Sequence, residues 1–267
     1  MSMALSMKDK IVFITGASSG VGKSCAELFA SLGAHLIVTA RRMDRLEKLS
    51  KDIKNQFKTD VLAIQLDISI KNDVLNAVNN LEGKWANIDI LLNNAGLALD
   101  CDLIQDGDLD SWDTMIDTNF RGLLYMTRSI LPGMISRNRG HIINIGSCVG
   151  HEYYPKGNVY CATKHAVKAI SKSLRIDLLG TPIRVTEIDP GAIQTEFAEV
   201  RYKDKKRAGD FYFGFTPLVA HDIADAVVYC ATRPLHVDIA EMVIFPTDQA
   251  SINHLHRKGK KSEGILG

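Results

Sequence analysis

The feature that most restricts this chain is a regular alternation of short apolar runs with longer amphipathic segments. The runs Ile11–Thr15, His35–Ala40, Val61–Asp67, Ile88–Asn93, His141–Ser147, Ile183–Ile188 and Met242–Phe245 are often β-branched and bounded by Gly, Asp or Asn. That pattern predicts strands. Their continuous apolar character suits strands covered on both faces, as in a parallel sheet. Between them, Gly22–Leu32, Met43–Gln56, Lys71–Lys84, Ser111–Ser136, Asn158–Leu179 and His221–Ala231 carry helical patterns. A βαβα alternation predicts a doubly wound α/β fold, here a seven-stranded parallel sheet with helices on both faces. No repeat or low-complexity linker divides residues 1–267, so the chain reads as one domain. The stretch Phe197–Thr216 (197–216) is aromatic and basic and breaks the alternation. It reads as an insertion, either a small lid or a packed loop.

Composition narrows the function classes. The formal net charge is +1, which gives no electrostatic reason to expect nucleic acid or an anionic membrane as partner. The basic stretches Arg201–Arg207 and His256–Lys261 read as solvated surface or tail. Five cysteines, an odd count without a CxxC pair, predict reduced thiols and a cytoplasmic protein. The histidines show no zinc spacing; His254 and His256 read as a tail pair, and no metal is expected. No stretch approaches the ~20 apolar residues of a membrane span, and Met1–Lys10 does not read as a signal peptide.

The first strand runs into Thr15-Gly16-Ala17-Ser18-Ser19-Gly20-Val21-Gly22, and a helix follows. Glycines let backbone turn sharply and approach a ligand. A helix N-terminus offers free N–H groups and a positive dipole end to a pyrophosphate. The spacing is GxxxGxG; its place between a strand and a helix makes it a dinucleotide signal. The second strand ends in Thr39-Ala40-Arg41-Arg42. An acid there would select NAD, whereas Arg accommodates a 2′-phosphate. Arg41 and Arg42, with a donor hydroxyl from Ser18, therefore point to NADP. Asp67, in Leu66-Asp67-Ile68, is placed to accept from the adenine amino group; the alternative is a helix cap.

Tyr160-Cys161-Ala162-Thr163-Lys164 puts a phenol and an ammonium at i and i+4 on one helix face. A free phenol, with a pKa of about 10, is too weak a base at neutral pH. A neighbouring ammonium favours its ionised form, which makes Tyr160 a general acid/base candidate. Alone, the spacing is a common coincidence. Ser147 and Asn93-Asn94-Ala95-Gly96 end two further strands, where a parallel sheet presents residues to its ligand crevice. Asn119 sits inside a long helix, where Asn is a weak former and disturbs the ladder. Cys148 and Cys161 flank Ser147 and Tyr160 and read as small packing residues.

TGASSGVG at Thr15–Gly22, NNAG at Asn93–Gly96, Asn119, Ser147, YCATK at Tyr160–Lys164 and Pro190-Gly191…Thr195 occur in the order found in the classical short-chain dehydrogenase/reductase family. The chain resembles that family from end to end. The resemblance implies a single-domain Rossmann fold and an NADP-dependent oxidoreductase acting on CH–OH groups. It implies that Tyr160 exchanges a proton with the substrate oxygen, which Ser147 orients. Lys164 would bind the nicotinamide ribose and tune Tyr160, and Asn119 would hold a water linking Lys164 to solvent. The cofactor set it implies is Gly16, Ser18, Ser19, Gly20, Val21, Gly22, Arg41, Arg42, Asp67, Ile68, Asn94, Ala95, Gly96, Tyr160, Lys164, Pro190, Gly191, Ile193 and Thr195. It further implies a homotetramer.

Ile244-Phe245-Pro246-Thr247-Asp248-Gln249-Ala250-Ser251 replaces a glycine-rich stretch common after the last strand. With Glu199-Val200-Arg201-Tyr202 and Thr216-Pro217-Leu218, it resembles the NADP-dependent 3-hydroxy acid (serine, allo-threonine) dehydrogenase branch. A short hydroxy acid needs a cation for its carboxylate, and Arg pairs with carboxylate bidentately. Arg201 in the insertion is the candidate, with Lys156 a lesser one; a surface Arg in a basic loop is the alternative. Two other functions stay open: a broad carbonyl or sulfoacetaldehyde-type reductase of the same family, and a non-catalytic NADP sensor.

Overall fold

The computed structural model describes residues 6–259. Seven parallel strands form the central sheet: β1 (Ile11–Thr15), β2 (His35–Ala40), β3 (Val61–Gln65), β4 (Ile90–Asn93), β5 (His141–Ile145), β6 (Arg184–Pro190) and, after two short strands, β9 (Glu241–Ile244). Their spatial order is β3-β2-β1-β4-β5-β6-β9. The chain runs outward from β1 through β2 to β3, then crosses back to start the other half at β4. That reversal leaves a crevice above the C-terminal ends of β1 and β4, where such sheets bind ligands.

Strand periodicity builds one apolar layer on each face of the sheet. Val12, Ile14, Leu36 and Val38 pack under α1 (Gly20–Ser31), α2 (Met43–Phe57) and α9 (Ala220–Ala231). Ile11, Phe13, Ile37 and Leu91 face α3 (Lys71–Asn79), α5 (Leu123–Ser136) and the end of α6 (Asn158–Asp177). Central strands are buried throughout, as in β1 and β6, while the edge strands β3 and β9 are half-covered. The expected strands and their layers are all present.

Several boundaries differ for local reasons. β3 stops at Gln65 because Asp67 bends the chain: its Oδ1 accepts from Ser69 N–H at 3.0 Å and Ser69 Oγ–H at 2.6 Å. The third helix ends at Asn79, not Lys84; Asn80 caps it and Gly83 turns the chain with φ 58°, both poor helix residues. The long helix begins as α4 (Leu109–Ile116), capped by Asp108 accepting from Ser111 N–H. It then passes through a π-turn, Asp117–Gly122, before α5.

The 197–216 stretch folds as α7 (Phe197–Tyr202) and α8 (Lys205–Phe211), with Lys203 left-handed between them at φ 51°. Two short strands, β7 (Ile193–Gln194) and β8 (Leu218–Val219), pair at its base. It is therefore a helical flap over the crevice rather than a loop. Of the basic tail, Lys258 N–H donates to Gly214 O at 2.6 Å, which docks the tail on the flap; Lys260 and Lys261 lie outside the described residues.

Candidate active site

The crevice is a cleft of about 1580 Å³, counting its solvent-facing mouth, lined from β1 to the flap. The glycine turn forms one end. Gly16 and Gly20 hold φ of 68° and 54°, where side chains are strained. A Cβ at Gly16 would lie 2.8 Å from Ala95 Cα, and one at Gly22 would lie 2.5 Å from Asn94 Nδ2. Asn94 braces this turn: its Nδ2 donates to Thr15 O at 2.9 Å and Gly16 O at 3.3 Å. Thr15 Oγ1 in turn accepts from the N–H groups of Asn94 and Ala95, each at 3.0 Å. Ser19 makes no side-chain cap to α1, whose first turn contains no acid. Backbone donors and a positive helix end thus face the cleft, a fit for pyrophosphate.

Beside it, Arg42 presents its guanidinium to Ser18 Oγ at 3.0 Å and Ser19 Oγ at 3.0 Å. Arg41 is exposed and also borders the cleft. The sequence left one feature of this corner invisible. Glu196, from the far half of the chain, accepts from Arg42 at 3.1 Å and from Arg45 at 2.8 Å, so an acid does stand near the arginine, but it pairs with it. Asp67, Ile68, Pro190, Gly191, Ile193 and Thr195 line the same cleft. Ala192 N–H is held by Gln249 Oε1 at 2.8 Å, which ties this segment to the C-terminal stretch.

Ser147 and Tyr160 meet at the other end. Ser147 follows β5 in extended backbone and caps a short turn, Cys148–Gly150. Its amide donates to Asp189 Oδ1 at 2.9 Å. Lys164 is buried and its Nζ donates to Ile145 O at 2.9 Å. Burial pushes the Tyr160 hydroxyl up to about 12; the Ser147 hydrogen bond and the Arg201 charge oppose the rise. Burial pulls Lys164 down to about 8, against the charges of Asp189 and Glu187. The expected dominance of the ammonium over the phenol is therefore not seen in this state: desolvation is the larger effect on both groups.

Asn119 lies in the π-turn, a distortion often found at functional sites. Its side chain pairs with the backbone of Leu97, Oδ1 accepting at 2.8 Å and Nδ2 donating at 2.7 Å, and Nδ2 also donates to Thr163 Oγ1 at 3.1 Å. Its amide is thus fully engaged in docking the helix to the chain after β4. A Cβ at Gly96 would lie 3.2 Å from Asn119 Oδ1 and 3.8 Å from Lys164 Nζ, so Gly96, Asn119 and Lys164 converge. Burial pushes the Cys148 thiol up to about 11 and raises Cys161 as well. Neither carries the thiolate that a nucleophile needs, in keeping with their reading as packing residues.

Arg201 on α7 reaches the same end from the flap. Its NH2 donates to Tyr154 Oη at 2.6 Å and Cys101 Sγ at 2.8 Å, and the guanidinium stands 6.0 Å from the Tyr160 ring centroid. Tyr154, Cys101 and Phe197, which packs 5.8 Å from the Tyr160 ring, carry no sequence signal for this role. Nothing in their spacing marks them. Lys156 sits in the turn before α6 with a left-handed φ of 65° and lines a side pocket with Tyr154 and Asn158.

A parallel doubly wound sheet, a glycine turn at its switch point and a serine, tyrosine and lysine gathered beside it define a dinucleotide-dependent oxidoreductase. The short chain dehydrogenase family model matches residues 10–206, and the chain belongs to that family. It is 46% identical over 242 residues to the NADP-dependent 3-hydroxy acid dehydrogenase of Salmonella typhi, covering 90% of this chain and 96% of that one. It is 43% identical over 241 residues to the sulfoacetaldehyde reductase of Chromohalobacter salexigens, with coverage of 90% and 94%. Among solved structures it is similar to the closed form of a serine dehydrogenase complexed with NADP+, at 43% identity and a TM-score of 0.86, over 93% of this chain and 100% of that one.

Proposed function

We propose that this protein is an NADP-dependent dehydrogenase of small 3-hydroxy acids, of the serine, allo-threonine or 3-hydroxypropionate type, or of the matching semialdehydes. One observation carries the substrate class. Arg201 places a half-buried cation beside Tyr160, and among the described residues no carboxylate lies within ion-pair distance of it. Its Nε is buried without a hydrogen-bond partner. A guanidinium with a buried, unpartnered Nε and only neutral neighbours carries a cost that a ligand completing it would remove. A substrate carboxylate does so with planar, two-pronged geometry.

When bound, the nicotinamide cofactor would supply the hydride-transfer chemistry. The chain supplies the rest. Ser147 orients the substrate oxygen. Tyr160 passes its proton to that oxygen during reduction and takes it back during oxidation. Lys164 would hold the cofactor ribose, and it sets the charge beside Tyr160. The π-turn at Asn119 supports a water on the helix backbone that connects Lys164 to solvent, since the amide side chain is already engaged. Arg42, Ser18, Ser19 and Arg41 would hold the 2′-phosphate, and Asp67 would take the adenine amino group.

Arg42→Ala is expected to raise KM for NADP by ~10–100-fold, the loss of a charged hydrogen bond of about 1.5–3 kcal/mol, with KM for NAD hardly moved. Nicotinamide absorbance with each cofactor checks it, and an equal loss for both would remove Arg42 from the 2′-phosphate site. The assignment itself is tested by a panel with NADP and NAD: L-serine, L-allo-threonine, 3-hydroxypropionate, 3-hydroxyisobutyrate, sulfoacetaldehyde and simple alcohols. Turnover of the carboxylates with NADP supports it. Exclusive turnover of sulfoacetaldehyde or of plain alcohols replaces the substrate class while leaving the dehydrogenase standing. Sulfoacetaldehyde belongs in the panel because a sulfonate also satisfies Arg201.

We assign the protein to the cytoplasm on its five free thiols. We also infer a homotetramer, supported by the exposed apolar residues Leu109 on α4, Ile135 on α5, Ile176 on α6 and Leu179 just after it. Light scattering of the purified protein reads the assembly directly.

A further inference from the structure

Two carboxylates lie against each other beneath the catalytic serine, both on β6. Glu187 is 1% exposed and Asp189 is 0% exposed. Their oxygens crowd Gly146: a Cβ there would lie 1.9 Å from Asp189 Oδ1 and 2.6 Å from Glu187 Oε1. Gly146 sits between Ile145, whose carbonyl takes the Lys164 ammonium, and Ser147, whose amide is held by Asp189.

Asp189 is well provided with donors. Beyond the Ser147 amide, its Oδ2 accepts from His151 Nε2 at 2.8 Å. Lys168 Nζ approaches His151 Nδ1 at 2.6 Å and Glu241 Oε1 at 2.9 Å. An ammonium donating to Nδ1 leaves the proton on Nε2, facing Asp189. His151, Asp189 and Glu241 have the spacing of a cation site, but Lys168 already supplies the positive charge there.

Glu187 is different. Both of its carboxylate oxygens are buried without a partner. Ser171, a neighbouring hydroxyl, spends its own proton on Val167 O at 2.9 Å. A buried, unpartnered carboxylate anion beside a second carboxylate is heavily penalised. A proton between the two removes both the extra charge and the missing hydrogen bond.

We propose that Glu187 is a neutral carboxylic acid at neutral pH, sharing its proton with Asp189, and that this pair is a positioning element that fixes Ser147 and sets the charge beside Lys164. The proton stays within the pair: Glu187 donates, and one Asp189 oxygen accepts while still receiving Ser147 or His151. Burial first, then Asp189, pushes the Glu187 carboxyl up to about 8, with Glu241 adding to the rise. The charged groups facing the pair are Lys164 and Lys168 from α6, His151 from the turn after β5 and Glu241 from β9. Above about pH 8 Glu187 ionises, and a second negative charge then appears next to Lys164.

The proposal rests on the reading of Ser147 and Lys164 as reaction residues, so two of its tests need no turnover. With ¹³C-labelled Glu, the infrared spectrum at pH 7 is expected to show one protonated carboxylic acid band that Glu187→Gln removes. The second test is linkage. A carboxyl with a raised folded pKa binds more protons folded than unfolded, so its contribution to stability falls as pH rises. Between its ordinary 4.5 and about 8, wild type should therefore lose Tm relative to Glu187→Gln, and the gap should widen with pH. A missing band, or a constant gap, overturns the proton assignment. If the variant does not fold, titration of the labelled band in wild type decides the same question: a band that persists to about pH 8 supports the assignment, and its absence at pH 7 overturns it. For positioning, the alkaline inflection of wild-type kcat should move to lower pH in Glu187→Gln, where no second negative charge appears beside Lys164, with KM for NADP unchanged. A variant profile that superimposes on wild type after scaling overturns that role.

Discussion

Tyr160→Phe is expected to lower kcat in both directions by ~10²–10⁴-fold, the range for a positioned general acid/base, while NADP still binds and the fold is kept. The ring is 9% exposed and packs on Phe197, and the substitution removes only its hydroxyl. Titration of cofactor binding beside steady-state kinetics separates the two effects. Loss of binding together with turnover would show that Tyr160 holds the cofactor more than it moves a proton. The pH dependence follows from the same residue. Burial pushes its hydroxyl up to about 12, so in the free enzyme the acid form dominates at neutral pH. Carbonyl reduction, which needs that acid, should be nearly flat in kcat/KM through neutrality. Alcohol oxidation needs the phenolate, so its kcat/KM should rise with pH. A falling oxidation profile would assign the base elsewhere.

Arg201→Met should lower kcat/KM for 3-hydroxy acids by about 100-fold and leave plain aldehydes and alcohols little changed. Methionine keeps an apolar stem and removes the charge. Two charge-assisted bonds at about 1.5 kcal/mol each correspond to that factor. The loss should fall mainly on KM, since the carboxylate is held alike in ground and transition states. The variant also leaves Tyr154 Oη without its 2.6 Å partner, at a stability cost of about 1–3 kcal/mol. Tm therefore has to be measured beside the kinetics. Equal losses for acids and plain alcohols would mean that Arg201 shapes the flap rather than grips the carboxylate.

Much of the site is legible in local patterns. The turn from Gly16 to Gly22 stands out because its glycines sit between a strand and a helix, and the structure places two of them at positive φ. Ser147 and Gly96 are legible as strand-end residues, and Tyr160 with Lys164 as a helical i, i+4 pair. The refinements come from partners far apart in sequence. The family pattern puts Asn94 at the cofactor; it lines the cleft, and its amide also braces the glycine turn. Its residue type predicts that Asn119 perturbs a helix, and it does sit in a π-turn, but its side chain is committed to Leu97. The end of β2 carries no acid, yet Glu196 reaches Arg42 from the other half of the chain.

The sequence by itself determined the architecture, the nucleotide crevice and the candidate reacting groups. Those depend on periodicity, turn chemistry and spacing within a single element, all of which are local along the chain. Only the tertiary structure decided which charges meet. It brought Arg201 over Tyr160, paired Glu196 with Arg42 and set Glu187 against Asp189 beneath Ser147. Electrostatic energy depends on distance through space and on loss of water, and chain order encodes neither until the sheet has folded.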